Sequence, residues 1–190
     1  MEHSSPLDPV SSLRTYFSRN HILLCNDNAY LPSINDAGGD WNAIVHLIET
    51  REAVYSKAYR KRTTYLSPIL YAMLKPYKQR LNKLSEESRR IYDFLCACGS
   101  KSTQEIKSAL LLSGKSFSAA FDPLLSELLV TAMERDRTIN ETWSSFLWGT
   151  SAKWENTLAH PLPKVEATEA NLIALLSHLM PQKEIAALIK

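Results

Sequence analysis

The change of hydrophobic period between residues 85 and 148 constrains this chain most. "LSEESRRIYDFLCACG" opens on Ser85, a helix-capping hydroxyl, and Glu86 and Glu87 suit the positive end of the helix it starts. Ile91, Phe94, Leu95 and Cys98 repeat on one helical face, and Gly99 supplies the C-terminal cap. "STQEIKSALLLSG" predicts a short second helix, capped by Ser102 or Thr103 and ended near Gly114. "KSFSAAFDPLLSELLV" predicts a third, with Phe117, Phe121, Leu124, Leu125 and Leu128 in helical register; Pro123 either kinks it or follows a new cap at Asp122. From Val130 the period falls to two, and 130–135 and 144–148 read as strands joined by a polar turn through 136–141. Helix, short helix, helix and two-stranded ribbon is the order of a winged helix-turn-helix. The expected fold class is therefore mainly α with small β (α+β): a winged helix-turn-helix over 85–158, a small N-terminal α+β segment over 1–84, and C-terminal helices over 159–190.

The flanks read more coarsely. Residues 1–10 are loose, and "SSLRTYFSRN" predicts a short helix capped by Ser11 or Ser12. "HILLCNDNAYLPSI" predicts two extended pieces around a turn at 26–28. "DWNAIVHLIETRE" predicts a helix capped by Asp40, with His46 as a core or boundary residue. In "SPILYAMLKP", Ser67 caps, Pro68 takes the first helical position and Pro76 stops the helix. "TEANLIALLSHLMPQKEIAALIK" predicts two helices broken at Pro181, and Trp143, Trp148 and Trp154 are expected in the core.

Charge singles out one stretch. The net charge is only +2, yet residues 51–80 hold eight basic residues and one acid. Within them "YSKAYRKRTTYLSP" predicts a strand or hairpin edge, since tyrosine and threonine favour strands and neither alternating face is plainly apolar. Lys57, Arg60, Lys61 and Arg62, with Lys75, Lys78 and Arg80 on the following helix or just past it, are candidates to neutralise phosphates, and Tyr55, Tyr59 and Tyr65 to stack on exposed bases. Lys115, Ser116 and Ser118, at the start of the third helix, are further candidates for phosphate contact. That helix otherwise offers base edges little, because Asp122 and Glu127 offset its one lysine. A charged edge strand also protects a sheet from association, with no ligand involved.

Other classes are poorly supported. An apolar fraction of 45% argues against long disorder. Three cysteines, Cys25, Cys96 and Cys98, suit reduced, buried thiols in a cytoplasmic protein rather than a disulfide framework. The N-terminus has no secretory pattern, and no apolar run reaches the length of a membrane helix. Metal, phosphate-loop and hydrolase motifs are missing, so no catalytic residue, metal or cofactor is expected.

The runs "YSKAYRKRTTYLSPILYAMLKP", "LSEESRRIYDFLCACGSKSTQEIKSALLLSGKSFSAAFDPLLSELLVT" and "NETWSSFLWGTSAKWE" resemble AlkZ-related winged-helix proteins over about residues 40–160. These are small relatives of the alkylpurine DNA glycosylases of AlkZ type. The resemblance implies a winged helix and a link to DNA. Catalytic members carry Gln-x-Gln or Gln-x-Asp; the three glutamines here, Gln79, Gln104 and Gln182, have neither residue two places on. The expectation is a non-catalytic DNA-binding protein of low sequence specificity, with duplex DNA as partner. A protein-interaction winged helix is the alternative, and a glycosylase with an unrecognised site the third reading.

Overall fold

The computed structural model describes residues 8–140 and 143–190. The start of the loose N-terminal stretch (1–7), Glu141 of the expected turn and the side chain of Trp143 lie outside the described residues. Helix and strand make up about 49% and 19% of the chain, in two small antiparallel sheets, so the class is α+β.

The first sheet is ordered β1 (Ile22–Leu24), β3 (Arg62–Leu66), β2 (Val54–Tyr59). Around it lie α1 (Pro9–Asn20), α2 (Trp41–Glu49) and α3 (Pro68–Leu74). Their starts follow local chemistry. Asp40 accepts the Ala43 N–H at 2.7 Å, and Ser67 accepts that of Leu70 at 3.2 Å with Pro68 behind it. The first helix begins earlier than expected, because Asp8 caps it and Pro9 opens it. Only one of the two extended pieces predicted around 26–28 is a strand. The second is loop, turned by Asn28, whose Oδ1 accepts the N–H groups of Tyr30 and Leu31.

The middle of the chain runs α4 (Glu86–Cys98), β4 (Lys101–Ser102), α5 (Thr103–Leu110), α6 (Gly114–Ser126), β5 (Val130–Asn140), β6 (Trp143–Thr150). Its sheet is ordered β4-β6-β5, so the ribbon has a short third strand beside β6. Ser85 caps α4 through the Ser88 N–H at 3.1 Å, and Ser102 with Glu105 forms a reciprocal capping box on α5. Pro123 lies inside a continuous α6.

The chain's turn into α6 departs from expectation. Gly114 does not end α5 but opens α6 after the Ser113 cap. The left-handed stop is Leu111, at φ 56° and 91% exposed. A branched side chain in that conformation is strained. Leu111→Gly is expected to raise stability by about 1 kcal/mol, read as a higher urea midpoint at unchanged slope.

Beyond the ribbon come α7 (Ser151–Asn156), α8 (Glu169–Leu176) and α9 (Gln182–Leu188), the last two separated at Pro181. Two hydrophobic clusters hold the elements together. The first joins α1, α2 and one face of the first sheet (Leu23, Tyr55, Tyr65) to α4, α6 and the ribbon. The second joins the opposite face (Ile22, Leu24, Val54, Leu66) to α3, Trp154, α8 and α9. Both clusters cross residue 84/85, and the second also crosses 158/159.

The first sheet is thus covered on both faces, although its hairpin carries polar and charged residues on each. Trp148 and Trp154 are buried as expected, whereas His46 is exposed on α2. Cys96 and Cys98 are exposed on α4 and Cys25 is half-buried, correcting the expectation of buried thiols. No described helix is long and apolar enough to cross a membrane.

Candidate nucleic-acid interface

The basic stretch forms a hairpin whose tip is Arg60–Lys61, both left-handed at φ 49° and 58°. That is the backbone of a tight two-residue turn, here made without glycine or asparagine. The pairing Ser56↔Thr64 becomes Tyr59↔Arg62, a one-residue bulge in β2. The bulge breaks the alternation, so Tyr55 and Tyr59 enter different clusters although they are four apart. Tyr59 is fully buried, and Tyr55 and Tyr65 are buried as well; none of the three lies open for stacking on a base.

The cations of the stretch meet acids from far along the chain. Lys57 Nζ lies 2.8 Å from Asp122 on α6. Arg60 grips Glu184 on α9 through Nε at 2.8 Å and Nη2 at 2.6 Å, and the Tyr59 hydroxyl donates to the same carboxylate at 2.6 Å. These donors hold the Glu184 carboxyl down at about 2, Arg60 contributing most. Lys75 bonds Glu155 at 2.7 Å, and Arg80 bonds Glu127 at 2.6 Å. Arg62 donates to the carbonyls of Asn26 and Asp27, and Arg51 to those of Ile48, Glu49 and Met133. Lys78 is buried, which pushes its ammonium down. Of the eight cations, Lys61 is the exposed one with neither an ion pair nor a hydrogen bond among the described residues.

The positive balance of 51–80 therefore serves largely to join the hairpin and α3 to α6, α7 and α9. Nothing in the residue order signals this, because Asp122, Glu127, Glu155 and Glu184 are ordinary acids until the fold brings them in. Their pairing also half-covers α6. Asp122, Ser126 and Glu127 are partly buried beneath β2 and the 78–80 segment, where the Gln79 N–H donates to the Glu127 carbonyl at 2.8 Å.

The first turn of α6 remains open. Lys115, Ser116 and Ser118 are exposed, and Lys115 has no ion pair among the described residues. The Lys107 ammonium of α5 lies beside Gly114, at the same end of α6. On the ribbon, Arg137 is 72% exposed, 3.7 Å from Asp136, and Arg135 reaches Thr138 and Asn42. The structure thus separates the candidate residues. Lys57, Tyr59 and Arg60 are internal partners, Arg62 is tied to a loop, and Lys61, Lys115, Ser116 and Ser118 stand in solvent.

Among the described residues, no group of three His, Cys, Asp or Glu is placed to hold a metal ion. Glu105 is engaged in the α5 capping box. Comparison with the curated proteins and with the solved structures finds no match. The model of the AlkZ-related family matches residues 24–190, nearly the whole chain, and the protein belongs to that family.

Proposed function

We propose that this protein binds duplex DNA without sequence readout and without base-excision chemistry, through the open end of a winged helix. In this reading α4, α5 and α6 with β4, β5 and β6 are the winged helix, and the β5–β6 ribbon is its wing. One observation carries the assignment: the first turn of α6 presents Lys115, Ser116 and Ser118 to solvent, with Lys107 beside it, while most of the hairpin cations are engaged internally. A helix N-terminus with cations around it attracts phosphate. Membership of a family named for AlkZ, a type of DNA glycosylase, supports DNA as the polymer. Glutamines without the Gln-x-Gln or Gln-x-Asp pattern support binding without catalysis.

The test is fluorescence anisotropy with labelled duplex across a salt series. Wild-type affinity should fall steeply with salt, and Lys107→Ala with Lys115→Ala should flatten the log–log slope by about 2, one unit per lost phosphate contact. Lys61→Ala measures the hairpin tip's share. Binding unchanged in the double variant, or no binding at low salt, would overturn the assignment. Release of a base from alkylated duplex would instead restore the glycosylase reading. Protein interaction is the second reading, favoured by Leu111 and Ile139, large apolar side chains 91% and 59% exposed.

A further inference from the structure

A cavity of about 180 Å³ opens where the two sheets face one another. Its position follows from strand alternation. Thr63 and Tyr65 share a face of β3, with Tyr55 opposite Tyr65 across the pair; Ser144, Phe146 and Trp148 share a face of β6. Trp41, at the start of α2, and Thr103, at the start of α5, complete the rim. The walls are rings. Tyr55 stands edge-on to Trp148 at 5.2 Å and to Tyr65 at 5.7 Å, and Phe146 lies 6.0 Å from Trp41.

The polar atoms around these rings are arranged unequally. Trp148 Nε1 donates to Thr103 Oγ1 at 3.0 Å, and Trp41 Nε1 donates to Ser144 Oγ at 3.1 Å. Each hydroxyl has therefore received a hydrogen bond, and its own O–H has no acceptor among the described residues. The Tyr65 hydroxyl is fully buried and also lacks a partner among the described residues. No lining residue carries a formal charge. Buried polar groups are normally satisfied, so the Tyr65 hydroxyl, with the spare O–H groups of Thr103 and Ser144 near it, marks an aromatic-walled surface that lacks its complement.

We propose that this cavity binds a small planar nitrogen heteroaromatic of the nucleobase class, seated between the rings and accepting hydrogen bonds from Thr103 and Ser144. Size fits: a dry cavity of about 150 Å³ takes one benzene ring. Aromatic walls favour a flat ring, and spare O–H groups favour ring nitrogen or carbonyl acceptors over an apolar edge. The proposal does not depend on the DNA reading, because the ring can come from a free base or from an unpaired base in a strand.

Protein-observed NMR tests it through the indole N–H signals. Trp41 and Trp148 line the cavity, while Trp154 belongs to the other cluster and serves as the control. Titration with adenine, cytosine and uracil should move the first two and leave Trp154 in place. Benzimidazole should bind about fivefold more tightly than indole, which has the same shape but no acceptor nitrogen. Thr63→Trp, which fills the mouth, should abolish the shifts while Trp154 keeps its position. Cys25→Trp, at another half-buried lining position, serves if the first variant does not fold. Shifts with free bases assign a free ligand. Shifts only with single-stranded DNA, lost in the plugged variant, assign a base within a strand. No shift of Trp41 or Trp148 with any of these, or equal binding of indole and benzimidazole, would overturn the proposal.

Discussion

Trp154→Ala is expected to lower the free energy of unfolding by about 3–5 kcal/mol, the range for removing a large aromatic from a closed core. Trp154 is fully buried, and its ring lies 5.3 Å from that of Tyr71 at 64°. It sits on α7, six residues long and too short to hold itself together, so its packing is what fixes that helix. The cluster it fills includes Leu128 and Met133, Leu70 and Leu74 of α3, and Leu172 and Leu188 of the C-terminal helices. An alanine there leaves a cavity where three stretches of chain meet. Trp154→Phe should cost much less, about 1–2 kcal/mol. The indole Nε1 has no partner among the described residues, so removing it relieves a buried donor and offsets part of the lost area. Urea unfolding of the three proteins decides it. Equal losses for alanine and phenylalanine would mean that Nε1 is satisfied and the packing less tight than described.

Acid should weaken the joint between the hairpin and α9, and Glu184 should account for a separable part of the effect. Its carboxyl lies at about 2 in the folded chain, against an ordinary value of 4.5. On acidification the unfolded chain takes up this proton first. The stabilisation is therefore fully present above about pH 4.5 and is lost as pH falls toward about 2. Glu184→Gln keeps the size of the side chain and cannot ionise. The wild type should have the higher urea midpoint at about pH 7, and the gap should close as pH approaches 2. Glu52 and Glu127 are also held below the ordinary carboxylate range and remain in both proteins, so each loses stability in acid and only the difference isolates Glu184. A gap as large in strong acid as at neutrality would show that the joint does not depend on the charge.

Helix starts were legible because a cap is a contact between residues two or three apart. Asp40, Ser67, Ser85 and Ser102 each hold an N–H of their own first turn. The α+β class and the three helices followed by a ribbon were legible for the same reason, as changes of period along a short stretch, whereas the two-residue β4 was not. Leu111 in place of Gly114 as the end of α5 was not legible. Hydrogen bonding at the end of the helix decided that residue's backbone, against its own preference.

Residue identity and spacing determined by themselves the helices of the middle of the chain, the caps at Asp40, Ser67, Ser85 and Ser102, the ribbon and the presence of a concentrated positive charge. The fate of that charge was decided by tertiary structure alone. Lys57, Arg60, Lys75 and Arg80 find Asp122, Glu184, Glu155 and Glu127 at sequence separations between 47 and 124 residues. A one-residue bulge sends Tyr59 to the face opposite Tyr55. A cation is drawn to phosphate or to a carboxylate by the same force, and which one is nearest depends on how the chain packs.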